Sequence, residues 1–175
     1  MKIYTKQGDK GYTRLVDGSK VEKDDSRILV IGELDELNSL LGLLSCHLHK
    51  ADTKEMIDEL QRSIFKISCF LMNDTFSMEI SLKWIENEID SIQSILPPQQ
   101  AFLLPGGCMA AAQAHVCRSV CRRVECHLYT LSKHYPIHDS ILKYLNRMSD
   151  FLFVLARKIN LENAIDEKIW QNTCK

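Results

Sequence analysis

Apolar residues recur every three or four positions over long stretches of the chain, which is the spacing of an amphipathic helix. The clearest stretch follows Pro105-Gly106-Gly107 and ends near Ser132. Its apolar residues step by alternating fours and threes: Ala110, Ala114, Cys117, Cys121, Val124, Leu128 and Leu131. These positions fall on one side of a helix. The pattern therefore predicts a long helix that packs this side against other helices.

The same spacing predicts four further helices. The first begins at Asp24, Asp25 or Ser26, whose side chains suit an N-cap, and ends at about His49. The other three run from about Thr53 to Asn73, from about Ser81 to Ile95, and from about Asp139 to Asn160. Pro97-Pro98 stops the third of these helices, because proline lacks the backbone N–H.

No run of residues has the pattern of a strand. The sequence therefore predicts one all-α domain over residues 1–175: an arm of residues 1–24, a five-helix bundle of residues 25–160, and a tail of residues 161–175. The tail contains Trp170 and indicates nothing further.

A row of polar side chains lies about 100° round from the apolar side on three of the helices. It comprises Arg118, Arg122 and Glu125 on the fourth helix, Asp35 on the first and Asn146 on the fifth. Such rows can face one groove, so we expect a polar cleft between helices or subunits. Asp35 would pair there with Arg118, and Arg122 or Arg123 would bind phosphates together with lysines of the arm. An interhelical salt-bridge network that fixes helix register explains the same residues about equally well.

The arm is rich in glycine, hydroxyl and lysine side chains, all of which suit an anion. It begins with Thr5-Lys6-Gln7-Gly8-Asp9-Lys10-Gly11 and continues through Thr13 and Arg14 to Lys20 and Lys23. Glycine lets backbone N–H groups approach a phosphate closely, and lysine supplies charge. The arm is not a Walker A loop, because Gly-x-x-x-x-Gly-Lys-Ser/Thr is absent. Read by itself, it is better explained as a solvated turn.

Composition narrows the possible partners. The chain has 22 Lys and Arg against 23 Asp and Glu, so no overall field attracts nucleic acid or an anionic membrane. No apolar run approaches the length of a membrane span, and the sequence begins without a signal-peptide pattern, so we expect a cytoplasmic protein. The seven cysteines are an odd number in a chain of this size, which favours free thiols. Cys117 and Cys121 are expected in the core.

Six motifs together carry a family resemblance. They are Thr5 to Gly11, Lys23-Asp24-Asp25-Ser26-Arg27, Gly32-Glu33-Leu34-Asp35-Glu36-Leu37-Asn38-Ser39, Phe102-Leu103-Leu104-Pro105-Gly106-Gly107, Cys121-Arg122-Arg123-Val124-Glu125 and Tyr144-Leu145-Asn146-Arg147-Met148-Ser149-Asp150. In this order and spacing they resemble ATP:cob(I)alamin adenosyltransferases of the propanediol-utilisation type. The resemblance covers nearly the whole chain and favours a binding role for the arm.

The resemblance implies a homotrimer of five-helix bundles, of the ferritin-like or cobalamin adenosyltransferase-like class, with active sites between subunits. It implies transfer of the 5′-deoxyadenosyl group of ATP to the cobalt of cob(I)alamin, with release of triphosphate. The cobalt is then the nucleophile, which agrees with a sequence that offers no nucleophile and base pair. Mg²⁺ bound through the ATP phosphates, a cobalamin reductase and a B12-dependent enzyme are the further partners implied.

The resemblance also assigns residues by position. Arg118 and Asp35 match an interhelical ion pair beside the corrinoid, and Phe102 matches the aromatic residue that displaces the lower axial base of cobalamin. The expected ATP-binding residues are Thr5, Lys6, Gln7, Gly8, Thr13, Arg14, Lys23, Arg122, Arg123, Glu125, Cys126 and Asn146. No side chain is expected to bind a metal without ATP.

Three residues depart from the family pattern. Ser26 stands where proline is common, Cys108 follows the Gly-Gly pair, and Cys126 replaces the arginine often found after Glu125. The last change affects one contact that an arginine at this position would make with ATP or with another subunit.

The sequence does not distinguish well between an enzyme and a non-catalytic carrier of adenosylcobalamin with the same fold. A purely structural helical protein gives no reason for the lysine-rich arm and the arginine cluster together.

Overall fold

The computed structural model describes residues 2–4, 6–73 and 79–170. Its elements are the strands β1 (Tyr12–Arg14) and β2 (Lys20–Glu22), and the helices α1 (Ser26–Cys46), α2 (Ala51–Met72), α3 (Leu82–Ile95), α4 (Met109–Leu131) and α5 (Asp139–Glu162). The predicted architecture of five helices is confirmed. The predicted helix ends differ from the observed ends by about three residues or fewer.

Two of the helix starts have side-chain caps, and the sequence predicted the first of them. The carboxylate of Asp25 accepts a hydrogen bond from the backbone N–H of Arg27 at 2.9 Å, at the start of α1. The hydroxyl of Ser81 accepts from the N–H of Trp84 at 3.1 Å, at the start of α3. Each cap satisfies one of the N–H groups that a helix leaves unpaired at its first turn.

The apolar sides of all five helices meet in one core. Every residue of the stripe on α4 that the sequence indicated is buried, and so are the corresponding stripes of α1 from Val30 to Leu44 and of α5 from Ile141 to Ile159. Helix α4 is central, because it packs against both α1 and α5, while α2 packs on α1 and α3 on α5. Among the described helices, none has the length and apolar character to cross a membrane.

The expectation that the chain contains no strand is wrong. Strands β1 and β2 pair antiparallel, with Thr13 opposite Val21, to form a hairpin within the arm. Gly18 has a φ of +84°, which suits glycine, and it lies in the turn of this hairpin. Each strand has three residues, which is too short for the alternating pattern that identifies a strand in a sequence.

Residues 161–170 of the tail have structure that the sequence did not indicate. Helix α5 continues to Glu162, and residues 165–170, which we call the strap, then lie along residues 102–108, which we call the Phe102 segment. The N–H of Leu104 donates to the carbonyl of Lys168 at 2.8 Å, and the N–H of Trp170 donates to the carbonyl of Phe102 at 2.8 Å. The tail therefore contributes directly to the surroundings of a predicted site residue.

Cys117 and Cys121 lie in the core, as the sequence predicted. Burial raises the pKa of the Cys117 thiol to about 12, and burial also raises the pKa of Cys121. These thiols are therefore un-ionised at neutral pH and act as small apolar side chains.

Candidate active site

Helix α4 carries polar residues on two opposite sides of its buried stripe. The side that faces α1 has Arg123 and His127. Arg123 pairs with Glu36 and lies 3.8 Å from Glu33, and the Nδ1 of His127 donates to Glu33 at 2.7 Å. Arg123 is therefore held by carboxylates of its own chain, and the structure gives it partners that the sequence reading did not include.

The side of α4 that faces α5 brings two predicted ATP residues together. The side-chain amide of Asn146 donates to a carboxylate oxygen of Glu125 at 2.9 Å, and the carbonyl oxygen of the same amide accepts from Arg147 at 2.8 Å. Glu125 and Asn146 are both half-buried. Arg122 and Cys126 lie nearby along α4 and are exposed. The polar rows of α4 and α5 thus share a groove, as predicted.

Arg118 lies on this same side of α4, and its surroundings are unusual for an arginine. It is half-buried, and its buried Nε has no hydrogen-bond partner within the described ranges 2–4, 6–73 and 79–170. Burial and the neighbouring charge of Arg122 both lower the pKa of Arg118. A buried and unpaired guanidinium nitrogen is costly, so this side chain is suited to an anionic partner from outside the described chain.

The predicted ion pair between Asp35 and Arg118 is absent from the described part of the chain. Asp35 is exposed, and its side of α1 faces α2, where the side-chain amide of Gln61 donates to the carbonyl of Asn38 at 3.0 Å. The side of α1 that faces α4 instead carries Glu33 and Glu36. Within one chain, Asp35 therefore does not share the groove of Arg118, because residues at equivalent positions on two helices can face different neighbouring helices. The alternative that the cleft lies between subunits stays a prediction.

The arm forms an open depression of about 560 Å³, lined within the described residues by Gln7, Gly8, Tyr12, Thr13, Arg14 and Lys20. Lys23 also belongs here, because a side chain at Gly8 would meet the Lys23 ammonium at 3.2 Å. The structure thus brings together most of the predicted arm residues. Lys6 has a left-handed φ of +61° just before them, and Thr5 lies outside the described residues.

Phe102 is 75% exposed, although it is a large apolar side chain. Its ring lies edge-on to the ring of Trp170 in the strap, with 6.4 Å between the centroids. Leu104 and Ile169 are exposed beside these two rings. Exposed apolar residues grouped in this way are typical of a surface that contacts an apolar partner.

A small cavity of about 250 Å³ lies behind the Phe102 segment, and its wall includes His115, Asn160 and Glu167. His115 is buried, and burial followed by the charge of Arg118 lowers its pKa, while Glu167 acts in the opposite direction. These surroundings favour the neutral form of the imidazole in the folded chain.

Sequence reasoning missed Asn160, Arg157 and Glu167 in this region. The amide of Asn160 donates to the carbonyl of Gly106 at 3.0 Å and accepts from the N–H of Cys108 at 3.2 Å. One signal was available, because the row of α5 that contains Asn146 and Ala156 reaches Asn160 four residues later. The strap gave no signal, since neither its backbone hydrogen bonds to the Phe102 segment nor the ion pair of Glu167 with Arg157 follows a local period in the sequence.

The sequence model of the cobalamin adenosyltransferase family matches residues 3–159 of this chain. The chain belongs to the cobalamin adenosyltransferase family. It is 38% identical to a cobalamin adenosyltransferase of Cupriavidus metallidurans, over 97% of this chain and 94% of that protein. It is 36% identical to a corrinoid adenosyltransferase of Bacillus subtilis, over 95% of this chain and 91% of that protein.

A solved structure extends this family relationship to the fold. A variant of the PduO-type ATP:corrinoid adenosyltransferase from Lactobacillus reuteri, complexed with cobalamin and ATP, matches with a TM-score of 0.92 and 31% identity. The match covers 98% of this chain and 100% of that one. Within the described residues, no three His, Cys, Asp or Glu side chains form a group that could hold a metal.

Proposed function

We propose that this cobalamin adenosyltransferase transfers the 5′-deoxyadenosyl group of ATP to the cobalt of cob(I)alamin, forming adenosylcobalamin and releasing triphosphate. The observation that carries the proposal is the fold match, over nearly the whole chain, to an enzyme complexed with cobalamin and ATP. The cobalt of the substrate supplies the electron pair for the new Co–C bond. The protein therefore contributes binding, orientation and charge, not a nucleophile of its own.

The nucleotide side is assigned to two groups of residues. Lys6, Gln7, Gly8, Thr13, Arg14 and Lys23 of the arm would bind ATP together with Thr5, Arg122, Arg123, Glu125, Cys126 and Asn146. Support comes from the depression that the arm residues line and from the hydrogen bond between Glu125 and Asn146. Cations around the triphosphate stabilise the charge that develops on the leaving group, which lowers the barrier to transfer.

Mg²⁺ is assigned to the ATP phosphates. This ion prefers oxygen ligands and is commonly bound through substrate phosphates with one or two carboxylates. Glu125 is the carboxylate of the proposed nucleotide side. Bound there, the ion would neutralise part of the charge of the leaving triphosphate.

The corrinoid side is assigned to Phe102, Arg118 and Asp35. The exposed ring of Phe102 offers an apolar face that would take the place of the lower axial base of cobalamin. Without that base the cobalt of cob(II)alamin stays four-coordinate, which makes its reduction to cob(I)alamin easier. A cobalamin reductase is the proposed source of the electron, and a B12-dependent enzyme is the proposed acceptor of the product.

A homotrimer would complete this site. Asp35 is exposed on the side of α1 that faces α2, while the unpaired Arg118 lies on the side of α4 that faces α5. A second copy of the chain would bring an Asp35 carboxylate to the Arg118 of the first copy. The same arrangement would bring the arm of one copy to the Glu125 and Asn146 groove of another.

An anaerobic assay tests the proposed function. Purified protein is mixed with Mg-ATP and chemically reduced cobalamin, and loss of cob(I)alamin absorbance is followed alongside formation of adenosylcobalamin and triphosphate. We expect all three changes, with one triphosphate released for each Co–C bond formed. Binding of adenosylcobalamin without any turnover would overturn the proposal in favour of a carrier.

A further inference from the structure

The backbone of Phe102 is held mainly from outside the helical core. Its carbonyl accepts from the N–H of Trp170, and the N–H of Leu104 donates to the carbonyl of Lys168, each at 2.8 Å. These two hydrogen bonds flank the bridge between Leu103 and Ile169. The ring of Phe102 is largely exposed, so core packing does not fix it. Its position depends on where the strap lies.

The strap is fastened to the bundle by Arg157 of α5. The guanidinium donates through Nε and a terminal nitrogen to the two carboxylate oxygens of Glu167, at 2.8 and 3.1 Å. It also donates to the carbonyl of Pro97, just after α3, at 2.9 Å. The side chain of Arg157 is only 7% exposed and that of Glu167 is 23% exposed. This bidentate ion pair is largely shielded from water, so the interaction is both strong and directional.

The other end of the Phe102 segment is fixed separately. Asn160 bonds to the backbone of Gly106 and Cys108, one helical turn beyond Arg157 on α5. Gly107, between them, has a φ of +113° and is packed against the Asn160 amide. The start of α4 is therefore pinned by Asn160, whereas Phe102 itself relies on the strap and on Arg157.

We infer that Arg157 is a positioning residue for the corrinoid reaction: through Glu167 and the strap it sets the location of Phe102. The inference rests on the proposed function, in which Phe102 covers the lower face of the corrinoid. Arg157 touches neither substrate in this assignment. If the ion pair is lost, the strap detaches and Phe102 moves, and the lower axial base of cobalamin then competes for the cobalt.

A purely structural role for the ion pair makes a different prediction. In that case its loss would lower stability and leave the folded enzyme with unchanged chemistry. The two roles are separated by the coordination of the cobalt, which visible spectroscopy of cob(II)alamin reports without any turnover. They are also separated by how kcat and the KM for ATP change.

Two variants and one control make the test. Arg157→Met keeps most of the side-chain volume without the charge, and Glu167→Gln keeps the shape of the partner and removes the ion pair. Glu59→Gln is the matched control, because Glu59 pairs with Arg62 at 3.0 Å on the exposed side of α2. Each protein is studied as the full chain with Mg-ATP and cobalamin. Trypsin cleavage after Lys168, followed by mass spectrometry, reports release of the strap.

We expect both variants to be cleaved faster after Lys168 and to show less four-coordinate cob(II)alamin than the unmodified protein. Their kcat should fall by about tenfold or more, because small displacements of a positioned group have large effects on rate. The KM for ATP should stay the same, since the nucleotide residues lie elsewhere. Glu59→Gln should match the unmodified protein in every measurement.

Faster cleavage after Lys168 with an unchanged cob(II)alamin spectrum and kcat would overturn the inference, and so would an unchanged cleavage rate. If Arg157→Met does not fold, Glu167→Gln decides, because Glu167 is outside the helices. Failure of the proposed function looks different: the unmodified protein would then form no adenosylcobalamin, although strap release in the variants would still be measurable by cleavage.

Discussion

At the scale of single residues, Gly107 shows how a backbone position is dictated by one neighbour. A Cβ atom at this position would overlap the side-chain amide of Asn160, and the φ of +113° is one that other residues rarely adopt. Gly106, one residue earlier, has open space around it. The Gly-Gly pair therefore contains one glycine that is required and one that tolerates substitution.

Gly107→Ala should therefore destabilise the protein by about 2 kcal/mol or more, because it combines backbone strain with loss of the Asn160 hydrogen bonds. Gly106→Ala, the matched control, should change the free energy of unfolding by less than about 1 kcal/mol. Urea denaturation followed by circular dichroism measures both. Equal stability of the two variants would contradict the packing described for Gly107.

His115 predicts a pH dependence of stability. Burial and Arg118 lower its pKa in the folded chain, so the unfolded chain, with a pKa of about 6.5, binds the proton more readily. Stability from this residue is present above about pH 6.5 and declines as the pH falls towards the folded pKa. The decline cannot exceed about 1.4 kcal/mol per pH unit, because one imidazole takes up at most one proton. Glu167 acts against the lowering of the pKa and so narrows the pH range of the decline.

Unfolding free energies measured from pH 7.5 to pH 5 check this expectation, with His115→Asn as the comparison. The variant should lose part of the acid sensitivity, because asparagine does not titrate. Identical pH profiles for the two proteins would show that other groups, such as carboxylates in ion pairs, account for the acid sensitivity.

At the scale of elements, the end of α5 decides where the strap begins. The N–H of Ile165 donates to the carbonyl of Asn160 and the N–H of Ala164 to that of Leu161, at 3.0 and 3.1 Å. This pattern is a Schellman motif, in which the residue after the cap is left-handed. Ala164 holds that position with a φ of +53°, where glycine is usual. The reversal of the chain thus carries a small strain.

Ala164→Gly should relieve this strain and stabilise the protein by about 0.5 to 1 kcal/mol, after allowing for the greater freedom of glycine in the unfolded chain. Thermal unfolding measures the change as a small rise in Tm. Leu161→Gly, inside the last turn of the same helix, is the control and should lower Tm. A lower Tm for Ala164→Gly would show that the side-chain methyl has packing that outweighs the strain.

At the scale of the whole molecule, the polar groups of one chain are divided between separate surfaces. Arg118 and Asp35 lie on sides of the bundle that face different neighbouring helices, and the arm depression is lined by arm residues within the described part of the chain. A trimer would join these surfaces. This arrangement gives a test that depends on how subunits combine.

Arg118→Ala and Asp35→Asn should each lower kcat by about tenfold or more, because each removes one charge of a proposed pair. The two variants can be co-expressed with two different tags, and purification on both tags selects trimers that contain both variants. These mixed trimers should regain about one third of the unmodified activity, because each mixed cyclic trimer contains one intact site. Unmixed preparations of each variant are the control. Mixed trimers no more active than their parents would contradict a shared site.

The sequence determined the five helices and their buried sides, because a helical period repeated over twenty residues is a strong local signal. It also indicated Glu125 and Asn146 as neighbours, since both occupy rows beside a core stripe on packed helices. Together, the motifs placed the chain in its family. Each of these features depends on residues a few positions apart.

Tertiary structure alone decided the rest. The direction in which each polar row faces depends on which helix lies beside it, so Asp35 and Arg118 diverge although their offsets agree. The hairpin is too short to show a period, and the strap is held by backbone hydrogen bonds and one ion pair between residues ten apart. These contacts depend on how distant segments meet in space, which the local periodicity of a sequence does not specify.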